Sequence, residues 1–152
     1  MKKLSIYTTV FIVLDQIIKI FISKFMNLHE SINIIKNFFS ITLVHNTGAA
    51  FSILTNNVSL LIGISLISLI LIYYYLLKDN KLIKIDYIIY SLLIGGIIGN
   101  LIDRIIHGYV IDYLSFKIFN YYFPIFNLAD IGIVISVILI IFKSIKEEVC
   151  KK

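Results

Sequence analysis

The chain has 152 residues and a formal net charge of +5, with 59% hydrophobic and only 15% charged residues and a mean hydropathy of +0.95. A soluble domain carries about 25% charged residues, so this composition excludes a surface that faces water throughout and makes lipid the natural solvent. The positive balance does not indicate nucleic acid, because Lys and Arg fall mostly between apolar segments and form no basic stripe interleaved with aromatics.

Length allows about one domain, taken as residues 1–152. Met1-Lys2-Lys3 and the apolar run after it resemble a signal peptide. No small-residue cleavage site follows and the run is too long for an h-region, so it is expected to be a retained first helix. Four segments approach the roughly 20 apolar residues that cross a bilayer: Leu4 to Phe25, Val58 to Leu77, Tyr87 to about Ile106, and about Ala129 to Ile145. None contains proline. Their many Ile and Val residues favour strands in water, but in lipid the backbone must satisfy itself and an isolated segment becomes a helix.

Between the first two spans, Met26 to Asn57 is long and only moderately apolar. Its alternation at Phe39-Ser40-Ile41-Thr42-Leu43 predicts short strands. Lys78 to Asp86 is a short polar connection. His107 to Phe123 is rich in Tyr and Phe, which suit the membrane–water interface. The lysines set an orientation. Lys2, Lys3, Lys78, Lys81, Lys84, Lys143, Lys146, Lys151 and Lys152 share one side, against Lys24, Lys36, Lys117 and Arg104 on the other. By the positive-inside rule, both termini and the short connection are expected in the cytoplasm, with the long stretch and the aromatic stretch outside. Cys150, the single cysteine, can form neither an internal disulfide nor a CxxC metal pair.

This topology gathers polar residues at one face. Asn100, Asp103 and Arg104 fall at the outer end of the third span, Asp112 just beyond it, and Asn127 and Asp130 at the outer start of the fourth. Asp112 and Asp130 therefore return to one depth, each between apolar neighbours. Two acids in a low-dielectric site share a proton, which is what an aspartic peptidase needs: an ionised Asp to take a proton from water and a protonated one to polarise the scissile carbonyl. Two other readings stay open from position alone. Asp112 fits an interfacial residue facing water, and Asp130 fits a helix start favoured by the macrodipole. Asp15 and Lys19, four apart on one helix face, fit a structural ion pair or a group that tunes the outer site. Gly95, Gly96 and Gly99 fit close helix packing, since no strand precedes them to make a nucleotide loop. His45 and His107 lack metal-ligand spacing, and no Ser-His-Asp arrangement is evident.

Five motifs in order carry a resemblance. Asn46-Thr47-Gly48-Ala49-Ala50-Phe51 resembles the NTGAAF motif of the lipoprotein signal peptidases, the type II signal peptidases. Gly99-Asn100-Leu101-Ile102-Asp103-Arg104 resembles their GNLIDR, Val110-Ile111-Asp112-Tyr113 their VVDF, Phe126-Asn127-Leu128-Ala129-Asp130 their FNxAD, and Asp15-Gln16-Ile17-Ile18-Lys19 their DQxxK. The departures are Ile111 and Tyr113 for the common Val and Phe, and Ile131 where Ser is frequent; Ile131 puts a neighbouring hydrogen bond in doubt. The resemblance implies an all-α membrane fold of four transmembrane helices with a small extracytoplasmic β-cradle. It implies a catalytic pair, Asp112 and Asp130. It implies a substrate site shaped by Asn46, Gly48, Asn100, Arg104 and Asn127, with Asp15, Lys19 and Asp103 in support. It also implies an aspartic endopeptidase of the bacterial cytoplasmic membrane, cutting diacylglyceryl-modified prolipoproteins just before the lipidated cysteine. No metal and no cofactor are expected, and the expected partners are substrate and membrane lipid, with the enzyme a monomer. A transporter or channel subunit with an ion relay would spread its charges along a path through the membrane. Here they concentrate on one side, with nothing ionisable in the second span. A purely structural subunit leaves the clustered Asn, Asp and Arg unexplained.

Overall fold

The structure is a computed structural model and describes residues 2–48, 54–55, 57–78, 82–119 and 121–149. Four helices are long and apolar enough to cross a membrane: α1 (Lys2–Phe25), α2 (Val58–Ile72), α3 (Lys84–His107) and α4 (Leu128–Val149). A π-helical turn over Tyr73–Leu77 prolongs α2. Each span was expected within four residues of where it ends. α3 starts three residues before the expected Tyr87, because Asp86 accepts the Ile83 N–H at 3.0 Å and caps a first turn too polar to count as apolar sequence. α4 likewise runs four residues past Ile145 through Lys146, Glu147 and Glu148.

The all-α expectation holds for the spans only. A four-stranded antiparallel sheet, ordered β1-β2-β3-β4, joins β1 (Ser31–Ile35), β2 (Phe39–Asn46), β3 (Val110–Ile118) and β4 (Tyr121–Tyr122). The first two strands lie in the stretch whose alternation predicts them. The other two come from the aromatic stretch expected at an interface, because aromatic residues fit a pleated surface as well as a lipid boundary. Gly108, at φ +77°, ends α3 in the left-handed conformation that glycine adopts without strain. The chain then turns back at once into β3.

The burial is inverted relative to a soluble protein. The largest fully buried side chains are Lys19, Asn127, Asp15, Asp86, Asp103 and Ser136, whereas Ile6, Val10, Val13, Ile17, Ile20 and Phe21 of α1 are exposed. Leu4, Thr8, Asp15, Lys19 and Ile22 are the buried residues of α1, spaced to share one face. That face turns to α3, the central helix, which packs against α1, α4 and α2. Close approach depends on glycine. A Cβ on Gly96 would lie 2.5 Å from the Ala129 carbonyl oxygen, and one on Gly99 would lie 2.6 Å from Asp15 Oδ2. The packing reading of these glycines is what the structure shows. An apolar cluster of Ile22, Met26, Leu43, Ile111 and Tyr113 seats the sheet on the end of α1.

Candidate active site

The site residues expected from sequence all converge where α1, α3 and the start of α4 meet the sheet. At the base of this group, Lys19 Nζ lies 2.8 Å from Asp15 Oδ2, 2.9 Å from Asp103 Oδ2 and 2.9 Å from Asn100 Oδ1. An ammonium has three protons, so Lys19 is fully engaged. Of the two readings of Asp15 and Lys19, the structural pair is present, and Lys19 also connects through Asn100 to Asp130. Asp103 also accepts the Ile111 N–H at 3.2 Å, which fixes the turn from α3 into β3 just before Asp112. Gln16 donates to Asp103 Oδ1 at 2.9 Å and to the Gly99 carbonyl at 3.2 Å. Gln16 belongs to the first-helix motif but had no expected role; its position next to Asp15 was the available signal.

Two carboxylates sit above this base. Asp112 is carried by β3, whose register sets Val44 opposite it and Asn46 opposite Val110. Asp130 lies in the first turn of α4. Three asparagine amides surround them, and each has its oxygen claimed by a group that can only donate. The Gly48 N–H reaches Asn46 Oδ1 at 2.9 Å, Lys19 reaches Asn100 Oδ1, and the Asp130 N–H reaches Asn127 Oδ1 at 2.9 Å. Each NH2 must therefore face a carboxylate. Asn46 donates to Asp112 Oδ2 at 2.9 Å, Asn127 to Asp112 Oδ1 at 2.7 Å, and Asn100 to Asp130 Oδ1 at 2.7 Å. Asn127 also donates its backbone N–H to Asp130 Oδ2 at 3.1 Å, completing a reciprocal cap on α4. One residue thus holds both acids.

Asp112 is 2% exposed. Burial first, and then the neighbouring Asp130 carboxylate, push its pKa up to about 7, against the pull of the Asn46 and Asn127 bonds and of Lys19. Asp130 is only half-buried, so the pair has one enclosed and one more open member. Asp112 is therefore not a surface residue facing water. Asp130 does occupy the helix start that the macrodipole favours, and it lines the same cleft as Asp112.

That cleft has a volume of about 830 Å³. Asn46, Thr47, Asn100, Arg104, Asp112 and Asp130 form its polar side, and Phe123, Pro124, Ile125, Phe126, Ile131, Val134 and Ile135 its apolar side. Arg104 donates from Nη2 to the Gly48 carbonyl at 3.2 Å, while its buried Nε has no hydrogen-bond partner among the described residues. The rest of the first motif, Ala49 to Phe51, lies outside the described residues. His45 also lines the cleft, and its ring stacks on Tyr109 at 3.8 Å. Burial, then the charges of His107 and His29, hold its pKa below the usual histidine value. Ile131 donates its N–H to the Asn127 carbonyl at 3.3 Å in the ordinary helical pattern. The Tyr113 hydroxyl accepts the Leu128 N–H at 3.2 Å, a contact that sequence reasoning missed. The Tyr-for-Phe departure was the signal.

Known proteins resemble this chain in sequence and in overall fold. The Signal peptidase (SPase) II family pattern matches residues 7–146. A lipoprotein signal peptidase of Halothermothrix orenii is 45% identical over 138 residues, 90% of each chain. One of Staphylococcus aureus is 40% identical over 149 residues, 97% of this chain and 91% of that one. A bacterial membrane enzyme solved in meso at 2.3 Å superposes with a TM-score of 0.91 at 36% identity, covering 100% of this chain and 93% of the other. A second, at 1.9 Å, gives 0.85 at 36% identity, covering 96% and 94%. With its four apolar helices and its buried polar cluster, the chain is a multi-pass membrane protein and belongs to the signal peptidase II family, proteases that remove the signal peptide from prolipoproteins.

Proposed function

We propose that this family member works as an aspartic endopeptidase on diacylglyceryl-modified prolipoproteins, cutting just before the lipidated cysteine, with Asp112 and Asp130 as its catalytic pair. The observation that carries this reading is the Asn127 amide, bonded at once to Asp112 and, through its carbonyl and its backbone N–H, to Asp130. A pair held this way can share one proton. Asp112 holds that proton up to near-neutral pH, consistent with its upward shift to about 7. Asp130, in the first turn of α4, serves as the base.

In this mechanism Asp130 takes a proton from a water in the cleft as the water oxygen bonds to the scissile carbonyl carbon. Asp112 gives its proton to the carbonyl oxygen, so a neutral tetrahedral diol forms. On collapse the carbon–nitrogen bond breaks. Asp130 returns its proton to the leaving nitrogen, and Asp112 recovers one from a diol hydroxyl. The signal peptide leaves with a carboxyl end and the lipidated cysteine with a free amine. Asn46, Gly48, Asn100, Arg104 and Asn127 shape the substrate site, and the Arg104 Nε, without a partner among the described residues, is a donor for a backbone carbonyl of the substrate. Asp15, Lys19 and Asp103 hold it from below.

The apolar wall suits a substrate that arrives by lateral diffusion in lipid. Val134, Ile135 and Ile138 are exposed and extend that wall down α4, as an acyl chain or an apolar signal segment requires. The lysine asymmetry supports a bacterial cytoplasmic-membrane protein with both termini in the cytoplasm, and with the sheet and site at the outer face. The unit of action is the monomer with lipid around it. A cleavage assay on purified protein tests the substrate class. Precursor bearing diacylglycerol should be cut immediately before its cysteine, and the same precursor without lipid should not; equal cleavage of both would overturn the assignment.

A further inference from the structure

We infer that the Tyr113 hydroxyl is a positioning residue for Asp130, acting through the Leu128 N–H as one of three side chains that clamp the start of α4. This rests on the reading of Asp112 and Asp130 as the catalytic pair. The first N–H groups of any helix lack partners within the helix. In α4 three successive ones each go to a side chain, and the three side chains come from three places. Leu128 donates to the Tyr113 hydroxyl of β3 at 3.2 Å, Ala129 to Asp15 Oδ1 of α1 at 3.0 Å, and Asp130 to Asn127 Oδ1 at 2.9 Å.

Tyr113 directly follows Asp112, so its phenol ties the strand that carries one acid to the helix that carries the other. The backbone repeats that tie. The N–H groups of Tyr113 and Leu114 reach the Phe126 carbonyl at 3.1 and 2.8 Å, and the Phe126 N–H reaches the Leu114 carbonyl at 3.1 Å. The ring itself is buried among Ile22, Met26, Leu43 and Ile111 and does not line the cleft. Its hydroxyl therefore acts on the site through α4 and not by touching substrate.

Tyr113→Phe removes only the oxygen and leaves the ring packing. The variant should keep its yield and KM while kcat falls about 3- to 10-fold, the fold-change that corresponds to one neutral hydrogen bond. A purely structural role would lower the thermal midpoint and leave the kcat of the folded protein unchanged. Leu128→Pro provides the second arm, because proline is tolerated at the first helical position and has no N–H to donate. If the hydroxyl works through that N–H, Leu128→Pro shows the same loss, and the double variant is no worse than either single one. Wild-type kcat in Tyr113→Phe would overturn the inference. So would a drop confined to the thermal midpoint, or losses that multiply in the double variant. Should Tyr113→Phe fail to fold, wild-type kcat in Leu128→Pro alone would overturn it. Asp112→Asn and Asp130→Asn are measured alongside. Normal cleavage in those variants sinks the catalytic pair, whereas inactive Asn variants beside an unaffected Tyr113→Phe sink only the positioning role.

Discussion

Lys19 is fully buried, and its three protons are spent on Asp15, Asp103 and Asn100. Removing one partner of a buried ion pair costs about 3–5 kcal/mol, because the other charge is left without compensation. Lys19→Met should therefore sharply reduce the yield of folded protein. Adding Asp15→Asn should restore part of it, since Asp103 still accepts from Gln16 and the Ile111 N–H. Equal detergent-extracted yields for all these variants would show that the charges do not need each other. The spacing of Asp15 and Lys19 made their pairing legible in the sequence. That Asp103, far along the chain from Lys19, shares the same ammonium was not legible, because only the packing of α1 on α3 creates it. Arg104 has a different vulnerability. Its Nη2 holds the Gly48 carbonyl and its buried Nε has no partner among the described residues, and lysine cannot reproduce that planar fork. Arg104→Lys should fold normally yet lose about 10- to 100-fold in turnover, the effect of one charge-assisted hydrogen bond; wild-type turnover would reduce Arg104 to a simple boundary charge. Asp112 must carry a proton to act as the acid, and its pKa is raised to about 7. Activity should accordingly fall as pH rises through about 7, which a pH–rate profile in proteoliposomes reads directly.

At the scale of elements, the position of Asp130 depends on how closely α3 and α4 approach. A Cβ on Gly96 would meet the Ala129 carbonyl oxygen at 2.5 Å and Ile133 Cγ1 at 2.7 Å. Backbone cannot give way as a flexible side-chain end can, so Gly96→Ala must part the helices beside Ala129 and Asp130. Overpacking of this kind costs about 1–3 kcal/mol, and the thermal midpoint and the turnover should fall together. At Gly63, in α2, an added Cβ would meet nothing within 4 Å among the described residues, so Gly63→Ala should leave both at or slightly above wild type. If the two variants behaved alike, close packing would not be what the glycine-rich run provides. The helices themselves were legible because lipid forces an apolar run to satisfy its own backbone. The sheet was legible only in part. β2 shows alternation, but β1 is exposed along its whole length, and β3 is buried over its first four residues and half-buried over the next four, with no alternation. The register that sets Asn46 beside Asp112 belongs to two strands more than 60 residues apart in sequence, and no local pattern encodes it.

The molecule as a whole is built from the outside in, with Ile, Leu, Val and Phe facing outward and the Lys19–Asp15–Asp103 cluster buried at one end of the bundle. That end lies opposite Lys2, Lys3, Lys84, Lys143 and Lys146. A reporter fused after Lys152 should be active only in the cytoplasm; activity only outside the cell would invert the proposed topology and move the site to the wrong face. The order of five short motifs made the site legible across nearly the whole chain, and the bonds among their members explain why they occur together. Asn46, Asn100 and Asn127 are spread over three elements, yet each turns its NH2 to one of the two acids. The decisive measurement is single-turnover cleavage of a diacylglyceryl-modified precursor by reconstituted wild type, Asp112→Asn and Asp130→Asn, with substrate binding measured in parallel. Each single change should leave the protein inserted and able to bind substrate, while slowing cleavage by at least the 10²- to 10⁴-fold or so that general acid–base catalysis supplies. Near-normal cleavage by either variant would contradict the assignment of Asp112 and Asp130 as the catalytic pair.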